Sequence, residues 1–197
     1  MGGGLSFLYQ IILIIECNVG EPGSYKNGSK GAQMVKTLVM GVGNTLLTDE
    51  GAGVHALHYL QTTADWPENV EFLDAGTLSF TLADAIAAAD TLIILDAAEL
   101  QLKPGQVRVF IDEDLDEFLK SGKRSVHEVG FADLMDIARL QECLPENRAL
   151  IGIQPGDFGW GDAPGDAVSK AIPAAADLAA ELIERWNEPT MAEAVNL

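Results

Sequence analysis

The sequence predicts an α/β fold: a three-layer α/β/α sandwich around a mostly parallel twisted sheet, in a single domain. Three observations carry that expectation. Apolar runs such as Leu38–Met40 and Leu92–Leu95 are continuous rather than alternating, as strands buried on both faces of a parallel sheet are. Segments with apolar residues at helical spacing separate these runs, so strands and helices take turns along the chain. The length of 197 residues suits one domain with a substantial core and is short for two.

The first strand is read from Leu38, Val39, Met40 and Val42, punctuated by Gly41 and Gly43. Asn44 to Thr48 makes a loop, and Asp49 is expected to N-cap a helix carrying Val54, Leu57 and Leu60 along one side. Glu50 then falls in the first helical turn, at the carboxyl edge of the sheet, where open α/β sheets bind ligands. After a break at Trp66 to Asn69, Val70 to Asp74 reads as a second strand ending on a carboxylate, and Ala75 to Thr77 as a turn. Phe80 to Ala89 is a short helix by its spacing, and Thr91 to Leu95 a central strand that also ends on a carboxylate, Asp96.

Pro104 and Gly105 make a turn, and Gln106 to Ile111 alternates as an edge strand does, with one antiparallel pairing expected there. An acidic run from Asp112 leads into a short helix around Phe118 and Leu119. Helical spacing from Glu128 to Leu140 puts His127 at or near a helix start, and Arg148 to Ile153 is another buried strand. Gln154 to Pro164 is an extended loop rich in glycine and proline. The last helix, Val168 to Trp186, aligns Val168, Ile172, Ala175, Ala179, Leu182, Ile183 and Trp186, and Pro173 is assigned to its first turn, where a missing N–H costs nothing.

The folded domain is expected over residues 34–190, with 1–33 an upstream extension lacking a fold of its own and 191–197 a frayed tail. The apolar run Leu5 to Ile15 has no Lys or Arg before it and no small-residue cleavage site after it. It is also shorter than the ~20 residues that span a bilayer. Gly20 to Gln33 has the composition of a flexible linker. A membrane-proximal tether is the alternative for this extension.

Composition excludes whole classes of partner. With 12 basic against 30 acidic residues the formal charge is -18, which disfavours nucleic-acid backbone and anionic membrane and leaves a neutral or basic protein. Solubility alone also explains acidity of this kind. Two cysteines, Cys17 and Cys143, make neither a disulfide framework nor a thiolate zinc site, which fits a reducing cytoplasm. Cys143 reads as an incidental thiol, with no base to activate it.

A glycine-containing strand–loop–helix could cradle a dinucleotide, but Leu46 stands where the third small residue belongs, and the Glu50 carboxylate would repel a pyrophosphate. Glu50, Asp96 and His127 form the stronger constellation. Each follows a strand or opens a helix, so the three are expected to converge at the carboxyl edge as an open site for a divalent first-row metal. Taken singly each has a structural reading, as dipole partner, turn cap or helix cap. His55 and His58 share one helix but lack a third ligand, and a solvated helix face accounts for them. There is no His-Glu-x-x-His or Gly-x-Ser-x-Gly motif. Asp74, before Ala-Gly-Thr, could orient a water, bind substrate backbone or hold the turn.

The run Gly41 to Gly51 (Gly-Val-Gly-Asn-Thr-Leu-Leu-Thr-Asp-Glu-Gly) resembles the opening motif of the NiFe-hydrogenase maturation endopeptidases, which trim the C-terminal tail of the hydrogenase large subunit. Leu73 to Thr77, Ile94 to Ala98 and Ser125 to Asp133 resemble further motifs of the family, in its order, between Leu38 and about Trp186. The resemblance implies the same three-layer architecture, nickel contacts at Glu50, Asp96 and His127, and a functional, catalytic Asp74; Ala75 departs from the family's frequent glycine. It further implies nickel delivered by the substrate, a large-subunit precursor as partner, and a monomeric cytoplasmic enzyme. Two rivals remain: a nickel sensor or chaperone module that does not cut, and a nucleotide-dependent enzyme.

Overall fold

A computed structural model of the chain describes residues 34–77, 80–120 and 131–188. The chain runs β1 (Thr37–Val42), a 3-10 turn (Thr48–Gly51), α1 (Ala52–Gln61), β2 (Val70–Gly76), a 3-10 turn (Phe80–Leu82) and α2 (Ala83–Ala87). It continues through β3 (Thr91–Ala97), β4 (Val107–Ile111), α3 (Glu113–Lys120), α4 (Phe131–Leu140), β5 (Asn147–Ile153) and α5 (Asp166–Asn187). The five strands lie in the order β2-β1-β3-β5-β4. All neighbours are parallel except β4, which pairs antiparallel with β5 at the edge, as the alternation of Gln106 to Ile111 predicts.

Each central strand sends alternate side chains into two separate cores. Leu38, Met40, Leu92, Ile94 and Leu150 pack under α2, α3 and α4. Val39, Ile93, Leu95, Ile151 and Ile153 pack under α1 and α5. This is why the central strands read as unbroken apolar runs: neither face meets water, so no polar residue is spaced into them.

The strand order sets the ligand edge. From β1 the chain passes over one face to β2, then crosses the opposite face to β3 on the other side of β1. Connections therefore diverge between the carboxyl ends of β1 and β3, the switch point at which open α/β sheets form a crevice. Two glycines let the chain close up there. Gly43 has φ +139°, and a Cβ on it would overlap the Glu50 carbonyl oxygen. A Cβ on Gly53 would overlap the carbonyl oxygens of Leu95 and Val42, so α1 starts tight against both strands.

The structure departs from expectation at several places. β2 runs two residues past Asp74, where the sequence reading ends it, and β3 includes Asp96, which that reading places just after the strand. Pro173 is not in a first turn: α5 begins at Asp166, so the proline sits in the helix interior and leaves the Ser169 carbonyl without its N–H. Cys143 is not a free thiol, and so offers no nucleophile. The segments 1–33, 121–130 and 189–197, with the expectations placed on them, lie outside the described residues. Among the described residues no helix is long and apolar enough to cross a membrane.

Candidate active site

The loop after β1 builds the site, and a buried carboxylate holds that loop. Asp49 does not cap α1, whose N-cap is Gly51 with no side-chain bond. Instead it is 3% exposed and accepts N–H bonds from Gly156 (2.8 Å), Asp157 (2.9 Å) and Gly165 (2.7 Å). Gly165 is the N-cap of α5, so the carboxylate also meets the positive end of that helix. A charged acceptor with three donors is worth far more than a surface contact, and it draws the 156–165 loop against the 44–49 loop.

Thr48 joins the same frame at a strained position. Its φ is +27°, a conformation that β-branched residues rarely adopt. Its hydroxyl donates to the Asp157 carbonyl (2.9 Å) and the Gly159 carbonyl (3.2 Å), and its N–H to the Gly161 carbonyl (3.1 Å). Glu50 follows two residues later, half-buried, its N–H donating to the Leu47 carbonyl at 2.8 Å. Strain of this kind persists where surrounding bonds over-determine it, and it concentrates at functional sites.

Asp96 enters from β3, where its backbone pairs with Gly152 of β5, and is 3% exposed. A carboxylate this buried at the mouth of a crevice carries a desolvation cost that a bound cation or a donor offsets. Glu50 thus lies on the β1 loop and Asp96 near the end of β3, on either side of the switch point. His127 lies outside the described residues. Among the described residues no three His, Cys, Asp or Glu side chains are arranged to hold a metal. The donor set expected with His127, two carboxylates and an imidazole, is one that borderline divalent ions accept.

Asp74 stands one strand away, paired through its backbone with Gly41 and largely exposed. Its Oδ1 accepts the Gly76 N–H at 2.9 Å, which fixes the carboxylate at the strand end. Its Oδ2 lies 3.8 Å from Nε2 of His58 on α1. That pair joins residues 16 apart on different elements, a neighbourhood that neither segment signals alone. His55, three residues before His58, is not on a solvated face as expected: its Nε2 is buried with no hydrogen-bond partner. Burial holds its pKa below the ordinary value, His58 lowers it further, and Asp162 opposes both.

Gln154 supports the edge from the end of β5. Its buried side chain accepts the N–H groups of Leu100 (2.8 Å) and Leu102 (3.2 Å) and donates to Glu99 (3.3 Å), closing the loop after β3. Neither Asp49 nor Gln154 stands out in the sequence. Their partners are distant, and only the rarity of a buried polar side chain reveals them.

Comparison with known proteins agrees with this geometry. The family described as "Hydrogenase maturation protease" matches residues 54–186. Hydrogenase expression/formation protein HupD of Bradyrhizobium diazoefficiens is 35% identical over 152 residues, covering 77% of this chain and 79% of that protein. Hydrogenase 2 maturation protease of Escherichia coli K12 is 37% identical over 122 residues, 61% of this chain and 74% of that one. The solved structure of the hydrogenase maturating endopeptidase HybD from E. coli superposes with a TM-score of 0.70 at 33% identity, over 76% of this chain and 93% of that one. Sequence and fold agree, and the chain belongs to the hydrogenase maturation protease family, as one of its peptidases.

Proposed function

We propose that this peptidase removes a C-terminal extension from a NiFe-hydrogenase large-subunit precursor, acting as a monomer in the cytoplasm, and that nickel already held by the precursor is its recognition handle. The observation that carries the reading is the pair of carboxylates, buried Asp96 and half-buried Glu50, brought to the β1/β3 switch point of a chain in this family. Together with His127 they would complete the coordination of an ion that arrives with other ligands, since three protein donors leave positions open. Asp74 is the candidate catalytic carboxylate. Its exposure leaves Oδ2 accessible to a water or a peptide N–H, while the Gly76 N–H restrains Oδ1.

The second reading, a nickel-sensing or chaperone module that binds the precursor without cutting it, uses the same three donors. Mass spectrometry separates the two. Incubation with nickel-loaded precursor is expected to shorten the large subunit by its C-terminal peptide. An unchanged mass, with nickel retained, would favour the sensor.

A further inference from the structure

The two loops that frame Glu50 carry exposed apolar side chains that peptide-bond chemistry does not require. Leu46, Phe158 and Trp160 are 61%, 50% and 86% exposed. They sit on two loops joined as a short ladder, in which Leu47 bridges Gly161. The Gly161 N–H donates to the Leu46 carbonyl (3.1 Å), and the Thr48 N–H donates back to the Gly161 carbonyl (3.1 Å).

Below the ladder, the buried Asp49 carboxylate and the Thr48 hydroxyl tie the same two loops together. Three large apolar side chains are thus held toward water on a frame that is already ordered. Such a surface loses little entropy when covered, and rigid aromatic anchors of this kind dominate protein interfaces.

The charge around the patch indicates what covers it. Glu50, Asp157 and Asp162 flank it in sequence, and the described stretches that build this edge carry no Lys or Arg. No Lys or Arg occurs between Lys36 and Lys103, or between Arg148 and Lys170. An anionic membrane or a nucleic acid would be repelled from this edge.

We infer that Leu46, Phe158 and Trp160 form a docking platform for the protein substrate, which presents there a segment with an apolar side chain flanked by Lys or Arg. This rests on the processing reading and deepens it: the carboxylates read the metal-bearing end, while the platform reads the chemistry of the surrounding chain. An interface built this way combines an apolar anchor with an acidic rim, giving affinity at the centre and orientation at the edge.

Steady-state cleavage of nickel-loaded large-subunit precursor tests the inference, using the full chain, Trp160→Ala, the double variant Phe158→Ala/Trp160→Ala, Trp160→Phe, Asp162→Asn and the remote exposed control Leu140→Ala. Thermal melts close to the parent are expected for all, since these side chains are exposed. The double variant is expected to raise KM about tenfold with kcat near the parent value. Trp160→Phe should recover most of that loss, Asp162→Asn should raise KM in a manner masked by salt, and Leu140→Ala should change nothing.

If the parent cuts the precursor and the double variant does so with unchanged KM, the platform is refuted while the peptidase reading stands. An unchanged KM for Asp162→Asn refutes the basic flank. If the parent leaves the precursor intact, both readings fall together. If sedimentation shows a parent dimer that the double variant converts to monomer, a second copy covers the patch and the inference is overturned.

Discussion

Asp49 and Glu50 are consecutive carboxylates with different tasks, and only one of the tasks is visible in the sequence. Glu50 is legible because a carboxylate just after a strand-and-glycine turn must fall at the sheet's carboxyl edge. Asp49 is not, because its three N–H partners come from Gly156, Asp157 and Gly165, more than a hundred residues on. Asp49→Asn is expected to cost about 1–3 kcal/mol, since an amide presents one acceptor and one misplaced donor to three N–H groups. A lower Tm with faster hydrogen exchange confined to the 156–165 loop would confirm it. His55 gives a second residue-level test. Its pKa in the fold lies below 6.5, so above that value it is neutral in both states, while below it the unfolded chain takes up the proton more readily. Stability is therefore lost as pH falls from about 6.5 toward the lowered value. His55→Gln should flatten the drop in Tm between pH 7 and pH 5; an identical drop in parent and variant would show that another group is responsible.

At the scale of elements, β1, β3, β5 and the face of α5 were legible because burial on both sides, or on one stripe, leaves a period in the sequence. Pro173 shows the limit of such reading. A start at Val168 leaves the proline near a permissive first turn, but capping by Gly165 and helical geometry from Asp166 place it within the helix. Pro173→Ala restores the N–H to the Ser169 carbonyl and should stabilise by about 1–2 kcal/mol after allowing for the freer unfolded chain. The check is a higher denaturant midpoint with unchanged slope. Arg148, at the start of β5, ties that strand to α3: its NH2 nitrogen donates to Asp116 at 2.8 Å and its Nε at 3.4 Å. Burial raises the Asp116 pKa, but the Arg148 bond and charge, with Arg139 and Lys120, outweigh it and leave the carboxyl below its ordinary value. The stability this adds is present above the ordinary value near 3.8 and is lost as pH falls below it. Asp116→Asn should therefore lower Tm at pH 7, and the gap to the parent should narrow as pH falls below 3.8.

At the scale of the whole molecule, residues separated by dozens of positions, Glu50 from the β1 loop and Asp96 from β3, come to one edge because parallel strands end together there. That convergence puts two carboxylates on one edge, and under the proposed reading they meet an ion that belongs to the substrate. A peptidase with its own resident catalytic metal and one that recognises a metal on its substrate differ in the order of events. If nickel is the substrate's handle, nickel-loaded precursor is cut, nickel-free precursor is not, and free nickel added to the peptidase alone does not restore cutting. Glu50→Gln removes the charge while keeping the shape, so it should leave Tm close to the parent and reduce processing of loaded precursor strongly, by about a hundredfold or more in kcat/KM. The same variant should bind nickel-loaded precursor more weakly in calorimetry, a readout independent of cleavage. Equal cutting of nickel-free precursor by the parent would defeat the handle while leaving the peptidase assignment intact. Undiminished binding and cutting by Glu50→Gln would move the metal contact away from the carboxylate that this edge presents.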